Sequence, residues 1–385
     1  MVRIEDKSKC CGCSACQAVC PHDAISMKSD PLGFRYPAVD MARCTDCGLC
    51  ERVCVFGQPP ARTSPEAYAV RHIDQSEVLS STSGSAFSAV TDHILMEGGV
   101  VYGAAFEDHF HVAHIRAEDR QARDRQRRSK YVQSDMKDIF RQVRSDLRNG
   151  RTVLFSGTPC QTAALKAFIS EKLHDKLYLT DIICHGVPSP AVWESYVSWQ
   201  EKKEGAAADE VIFRDKDFGW RSSVESFVYA GRKVSSRSYS YLYYRNIMTR
   251  ESCGVCPYAD VSRPSDITIA DYWRKDKTCP DFADDNRGCS LLLCNSNKGK
   301  ELFDAVSDAL HHEKVVLDEC MQPNMEHPTK LHPARDAFAR DFAEFGLEHV
   351  LRKYGDQGFR YKAESFFKGM YRAVRQTARK LLGRV

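Results

Sequence analysis

The chain has 385 residues, enough for two or three domains with a sizeable core. Lys and Arg number 55 against 52 Asp and Glu, a formal net charge of +3, so no global basic field argues for a nucleic-acid partner. No stretch approaches the roughly eighteen uninterrupted apolar residues of a membrane span. The N-terminus, MVRIEDKSKCCGC, is charged and without an apolar signal region, so the expected location is the cytoplasm. Seventeen cysteines fit that reducing compartment, where thiols hold metal and disulfides are rare.

Eight of those cysteines form two runs, Cys10, Cys13, Cys16, Cys20 and Cys44, Cys47, Cys50, Cys54, each spaced C-x2-C-x2-C-x3-C. Three thiolates from one tight loop take three corners of a 4Fe-4S cubane, and the fourth cysteine of each run is carried to the other cluster. The expected sets are therefore Cys10, Cys13, Cys16 and Cys54 for one cluster, and Cys44, Cys47, Cys50 and Cys20 for the second. Pro21 follows the first run, whereas Val55 follows the second, where a proline would shape the turn without ligating. Between the runs, AISMKSDPLGFRYPAVD reads as two short strands broken at Asp30-Pro31 and Gly33, so the halves form a pseudo-repeat. The segment resembles a two-cluster bacterial-type ferredoxin domain, expected over 1–58. Structural zinc sites and a disulfide framework are the alternatives. Cys11 lies out of register and is read as a non-ligand. The chemistry to expect is electron transfer.

FGQPPARTSP reads as the linker that closes this domain. EAYAVRH, VVYGAAF and HVAHIRA follow as strands, with a helix, SAFSAVTDHILMEG, that ends at Gly98-Gly99. The charged run from Arg116 to Lys130 reads as a solvated loop or helix face, and the small hydroxyls of RRSKYVQS beside Lys130 suit a phosphate or flavin. Two strand-to-helix units come next. TVLFSG leads into TPC and a helix over QTAALKAFI; LYLTDIIC leads into HGVPSP and a helix over AVWESYVSWQEKK, with Ser189 as N-cap and Pro190 in the first turn. If the two strands are parallel neighbours, Cys160 and Cys184 emerge on one carboxyl edge, where open α/β sheets place their ligands. Cys253 and Cys256 in ESCGVCPYAD precede a further strand, SDITIADYW. These four thiols suit a third 4Fe-4S cluster, a zinc ion or no ligand, and the C-x2-C pair alone also suits a redox dithiol. Cys279, Cys289, Cys294 and Cys320 read as buried small hydrophobes.

Past His332-Pro333 the chain turns helical and basic. In FFKGMYRAVRQTARKLLGRV, Phe366, Phe367, Met370, Tyr371, Val374, Ala378, Leu381 and Leu382 share one helical face, and Lys368, Arg372, Arg375 and Arg379 the other. Such a helix docks on the protein's own core, on a partner or on the inner face of an anionic membrane. The expected divisions are 1–58, 66–330 and a basic helical tail over 331–385.

The two cysteine runs, followed in order by SGSAFSA, GGVVYGAAF, SKYVQS, SGTPCQTAALK, ICHGVPSP, FRDKDFGW, CGVCPYAD, SDITIADYW and NRGCSLLL, resemble the coenzyme F420 hydrogenase/dehydrogenase β-subunit family through about Leu293. The resemblance implies an α+β or α/β chain, a ferredoxin domain followed by a mixed α/β domain that holds FAD beside a third 4Fe-4S cluster on Cys160, Cys184, Cys253 and Cys256. Flavin contacts would come from Ser83, Gly84 and Ser85, from Ser129, Lys130, Tyr131 and Ser134, and from Gly157 and Thr158. Substrate would lie near Phe213, Arg214, Lys216, Gly219 and Trp220, and near Asp271, Tyr272, Trp273, Gly288 and Ser290. His185 would either move a proton to a reducible substrate or only hydrogen-bond beside the cluster.

No G-x-G-x-x-G follows a strand, so a nicotinamide dinucleotide is not the expected donor; G-x-x-x-x-G-K-S/T and H-E-x-x-H are absent too. Two functions follow. The first is an iron–sulfur flavoenzyme that takes electrons from a redox partner or ferredoxin-type donor and reduces a small organic substrate, with a deazaflavin among the candidates. The second is a relay subunit of a larger oxidoreductase complex, with no substrate of its own and FRDKDFGW as part of a docking surface.

Overall fold

Two short strands and two short helices build the N-terminal module in the computed structural model, which describes residues 1–56, 58–273, 285–359 and 361. Strands β1 (Ile25–Ser29) and β2 (Arg35–Val39) pair antiparallel with Ser29 opposite Arg35. The turn between them is tied by Asp30, whose Oδ1 accepts from the Leu32 and Phe34 amides at 3.0 Å each. Helices α1 (Ala15–Val19) and α2 (Leu49–Arg52) are each entered through a left-handed residue, Ser14 and Gly48, so the pseudo-repeat uses the same turn twice.

The larger domain is built on β3 (Glu66–His72), β4 (Val100–Phe106), β5 (Val112–Ala117), β6 (Val153–Gly157) and β7 (Leu177–Ile182). An inserted meander, β8 (Glu210–Phe213), β9 (Glu225–Tyr229) and β10 (Arg232–Ser236), separates these from β11 (Ile267–Asp271), β12 (Ser290–Cys294) and β13 (Leu310–Val315). The main sheet runs β13-β3-β12-β11-β7-β6-β4-β5. Its four central strands, β4, β6, β7 and β11, are parallel, and antiparallel pairs complete both sides. Central parallel strands are covered on both faces, which is why Val153, Leu154 and Phe155 are all buried. The edge strand β13 reads LHHEKV, with its middle exposed and charged, a sequence that discourages pairing with another chain.

Short α3 (Gln75–Leu79) leads to α4 (Ala86–Met96), and α5 (Arg120–Asp124) leads to α6 (Ile139–Arg148) and α7 (Pro159–Phe168). Phe140, Val143 and Leu165 from α6 and α7 share one apolar cluster with Ala15 and Val53 of the N-terminal module, so the module is seated on the sheet's helical layer. Helix α8 (Pro190–Glu204) starts as expected: Ser189 Oγ accepts from the Val192 amide at 3.1 Å, Pro190 occupies the first turn, and Gly205 closes the helix at φ 70°. Together with α9 (Ser238–Tyr244) and the meander it encloses Trp193, Phe213, Phe227 and Tyr239. Helix α10 (Asn297–Val306) covers the other face through Leu302 and Phe303.

Two expectations change. The charged run after Arg116 is solvated only in part: Glu118, Asp119, Arg120, Gln121, Asp124 and Arg125 are exposed, but the Arg123 guanidinium is 0% exposed and meets Asp92 Oδ1 at 2.6 Å, Thr91 Oγ1 at 2.7 Å and the Ser88 carbonyl at 3.1 Å, pinning α5 to α4. The segment expected as a separate tail also divides, because α11 (Arg335–Lys353) buries Phe338, Val350 and Leu351 in the core around Trp193. The amphipathic face from Phe366 to Leu382, and Cys279, lie outside the described residues. Cys289, Cys294 and Cys320 are buried, as their sequence context predicts. Among the described residues no helix is long and apolar enough to cross a membrane.

Candidate functional site

The two cysteine runs exchange their fourth members. Cys10, Cys13, Cys16 and Cys54 line one small cavity of about 30 Å³, and Cys20, Cys44, Cys47 and Cys50 line another of about 20 Å³. The short helix inside each run makes the exchange, since α1 leads from Cys16 to Cys20, and α2 from Cys50 toward Cys54, away from the loop that holds the first cysteines. Backbone amides point at sulfur, from Val2 to Cys50 Sγ at 3.3 Å and from Ala24 to Cys20 Sγ at 3.4 Å. Burial, followed by the neighbouring Cys13, Cys10 and Cys54, pushes the Cys16 thiol far up. Burial raises Cys10 and Cys54 as well, and a cationic iron core would relieve both the burial and the mutual repulsion. Among the described residues no group of three or more His, Cys, Asp or Glu is close enough to hold a single metal ion.

Strands β6 and β7 are parallel neighbours, so Cys160 at the start of α7 and Cys184 just past β7 do emerge on the same sheet edge. Cys253 and Cys256 face them, and each of the four lies within the electrostatic reach of others in the set. The Gly186 amide donates to Cys184 Sγ and the Val187 amide to Cys253 Sγ, both at 3.4 Å. Burial pushes Cys253 up to about 11 and Cys256 up to about 12. The Cys253–Cys256 loop is held from behind by Arg263, which donates to the Ile182 carbonyl at 2.6 Å, the Tyr258 carbonyl at 2.8 Å and Asp181 Oδ1 at 3.3 Å. Cys11, out of register with the ferredoxin spacing, is buried and lines the first ferredoxin cavity together with Cys13 and Cys160. It therefore stands between the first ferredoxin set and the later set, and its proximity pulls the Cys160 thiol down.

Beside Cys184 opens a cavity of about 700 Å³. Ser83, Ser85, Ser129, Lys130, Tyr131, Ser134, Gly157 and Thr158 all line it, with Cys184 and His185. Helix α4 begins at this wall with no side-chain hydrogen bond on its first amides, an end that suits the phosphates of an anionic cofactor. Gly84 does not line the cavity. Its amide donates to Ser290 Oγ at 2.9 Å and its carbonyl accepts from the His72 amide at 2.8 Å, so it clamps the turn to β3 and β12. Lys130 turns its ammonium onto the Arg125 carbonyl at 3.1 Å and onto that of Arg127, and burial lowers it to about 7. Thr158 and Ser134 are oriented by Gln161, whose Oε1 accepts from the Thr158 amide at 2.9 Å and whose Nε2 donates to Ser134 Oγ at 3.0 Å.

Of the expected substrate neighbours, Arg214, Asp271, Trp273 and Ser290 reach the cavity. Arg214 pairs with Asp271 and lies 5.0 Å from the Trp273 ring, and Trp220 Nε1 donates to Asp271 Oδ1 at 2.7 Å. Phe213, Trp220 and Tyr272 are buried in packing. Lys216 is a brace: its ammonium donates to the Ser83 carbonyl at 3.0 Å and burial lowers it to about 7. A Cβ on Gly219 would meet Asn286, and one on Gly288, at φ 119°, would meet the Ser83 carbonyl at 2.7 Å. His185 is pushed down by burial, with Asp271 and a hydrogen bond to Asn324 opposing, so its imidazole is neutral near pH 7.

Residues 150–318 match the family described as the C terminus of the coenzyme F420 hydrogenase/dehydrogenase β subunit, and residues 9–58 match the 4Fe-4S dicluster domain. The two matches relate the later part of the chain to that β-subunit family and its N-terminal part to 4Fe-4S dicluster domains. The match over 9–58 supports iron–sulfur clusters, and the match over 150–318 relates that part of the chain to a hydrogenase/dehydrogenase subunit. No curated protein matches it. One similar solved chain comes from a xenon-derivatization structure of the F420-reducing NiFe hydrogenase complex from Methanosarcina barkeri; it is 15% identical, with 78% of this chain and 95% of that chain covered and a TM-score of 0.46.

The wall of the cavity from Gln322 to Lys330 carries no sequence motif. Asn324 Nδ2 donates to Thr329 Oγ1, and Thr329 Oγ1 donates to the His185 carbonyl, both at 2.9 Å, tying an irregular segment to the residue after Cys184. The clamp at Gly84 makes a prediction. A Cβ there would stand 2.5 Å from the Val70 carbonyl oxygen and 2.7 Å from the Ser290 amide nitrogen, both backbone atoms. Gly84→Ala is expected to cost about 1–3 kcal/mol and to shift the 83–85 turn. Urea unfolding reads the first effect and hydrogen–deuterium exchange of the turn the second; a variant as stable as the parent with an unchanged turn would refute the clamp.

Proposed function

We propose that the chain is an iron–sulfur flavoprotein oxidoreductase that carries electrons between a redox partner or ferredoxin-type donor and a small organic substrate. The observation that carries this reading is spatial continuity. Three four-cysteine sets follow one another, Cys11 stands between the first ferredoxin set and the later set, and Cys184 of the later set stands in the wall of the large cavity. The twelve thiols suit three 4Fe-4S clusters, and the cavity, with the open start of α4, suits FAD. Bound flavin would supply exchange of one or two electrons and each cubane exchange of one. The chain's own residues do the rest. Ser83, Ser85, Ser129 and Thr158 line the cofactor's cavity, with the Ser83, Ser85 and Thr158 hydroxyls donating to the Cys289 carbonyl, Ser88 Oγ and Gln161 Oε1 so that the wall is held in shape; the Arg214–Asp271 pair orients a substrate against Trp273, and neutral His185 accepts or returns a proton at an imidazole nitrogen. A deazaflavin is one ring system that this aromatic, cationic end would take.

The relay reading keeps one observation in its favour. Phe218, in FRDKDFGW, is 52% exposed, and Trp273 at the cavity is 38% exposed, which suits a partner subunit placed over the opening. In either role the chain would work in the cytoplasm, with the basic segment from Phe366 to Leu382 as its contact to a partner or to the inner membrane face. Anaerobic isolation followed by iron, sulfide and flavin analysis tests the cofactor set. About twelve irons, equal sulfide and one FAD are expected; about eight irons with zinc in place of the rest would remove the third cluster. Turnover by the isolated chain with an artificial donor separates enzyme from relay.

A further inference from the structure

Arg250 belongs to no motif, yet it lies between the N-terminal module and the sheet domain. Its side chain is 0% exposed. Nε donates to the Cys10 carbonyl at 2.8 Å, Nη1 to Gln133 Oε1 at 3.0 Å, and Nη2 to the Arg35 carbonyl at 2.9 Å and to Cys10 Sγ at 3.7 Å. The guanidinium lies 4.3 Å from the Tyr36 ring centroid. Gly12 packs so close that a Cβ there would stand 2.8 Å from Nη1. Its backbone is fixed too, the amide donating to the Val187 carbonyl at 3.0 Å three residues before Cys253. Gln133 completes the bridge by donating from Nε2 to the Cys11 carbonyl at 2.8 Å.

Among the described residues no carboxylate pairs with Arg250. A buried cation without a counter-charge is costly, so the charge it faces must come from elsewhere. The groups within its field are thiols of two different sets, Cys10 and Cys13 on one side and Cys160 and Cys253 on the other. Each cluster becomes more negative by one charge on reduction, and a fixed cation beside it favours the reduced state. We propose that Arg250 is a positioning residue that raises the reduction potentials of the cluster on Cys10, Cys13, Cys16 and Cys54 and of the cluster on Cys160, Cys184, Cys253 and Cys256 together. It thereby keeps the two matched across the junction that electrons must cross. The inference rests on both sets holding cubanes.

The test is an EPR-monitored redox titration of the anaerobically isolated full chain, with the cluster on Cys20, Cys44, Cys47 and Cys50 as internal control. In R250Q both nearby clusters should fall in potential by about the equivalent of a tenfold change in the reduction equilibrium, about 59 mV for one electron, while the control stays in place. R250K, which keeps the charge, should restore most of the shift. Q133E, which keeps the guanidinium but sets a carboxylate against Nη1, should lower both potentials in a protein whose packing is unchanged, and it decides the matter if R250Q loses iron. Parent protein with about eight irons would show that the cluster reading itself is wrong. Parent protein with about twelve irons, and potentials unmoved in R250Q and Q133E, would overturn the role of Arg250 alone. A shift confined to one cluster would overturn the matching.

Discussion

On the proposed electron path, Cys184→Ser protein is expected to keep about eight of about twelve irons and to lose the link between its two halves. Cys184 is one of four thiols facing one another at the sheet edge, and it alone of the four lines the large cavity. The ferredoxin sets draw no ligand from it, so their EPR signals should remain after dithionite reduction. Flavin reduction by electrons entering through the N-terminal module should become far slower, and a small two-electron donor that enters the cavity should be affected much less. Stopped-flow absorbance of the flavin with each donor makes the comparison. Unchanged flavin reduction by both routes would place the cysteine sets off the path and end the relay description.

Arg263→Met should unfold the rear support of the Cys253–Cys256 loop at a cost of about 3–5 kcal/mol, because it leaves a buried carboxylate without its cation. Asp181 and Arg263 are both buried, and Thr268 Oγ1 donates to the same Asp181 Oδ1 at 2.6 Å. Burial already pushes Asp181 up against the opposing pull of Arg263, and removing that pull pushes it further. A carboxyl whose folded value lies above its unfolded one binds its proton more tightly in the folded state. The deficit of the variant should therefore be full at neutral pH and shrink as pH falls toward the ordinary carboxyl range. Adding Asp181→Asn should recover much of the loss, since no uncompensated charge then remains. Urea unfolding midpoints across pH, with iron content per chain, check both statements; a cost below about 1 kcal/mol would mean that the pair does not hold the loop.

The readable parts of this protein were those whose constraint is local. Three cysteines within seven residues must come from one loop, so the spacing alone determined the ferredoxin sets, including the crossing of Cys20 and Cys54 that the cavities reproduce. The N-cap Ser189, Pro190 and the apolar strand runs before Cys160 and Cys184 are also local signals. Parallel pairing then turned two strand ends into one site. The hydroxyl-rich segments come together along the wall of one cavity, but the tasks of individual residues within them were not legible: Gly84 and Lys216 hold the turn, and Lys130 faces its own main chain. A side chain's direction is settled by what packs behind it, and composition carries no record of that. Arg123, read from its charged neighbours as solvent-facing, lies buried because Asp92, two turns into α4, waits for it. Tertiary structure alone decided the junction. Cys11 came to stand between two cysteine sets and Arg250 became the cation beside both, through partners as far as 240 residues away in sequence. Burying a charge is permitted only where the complete fold supplies its partners, so no window of the sequence around Arg250 could have announced it.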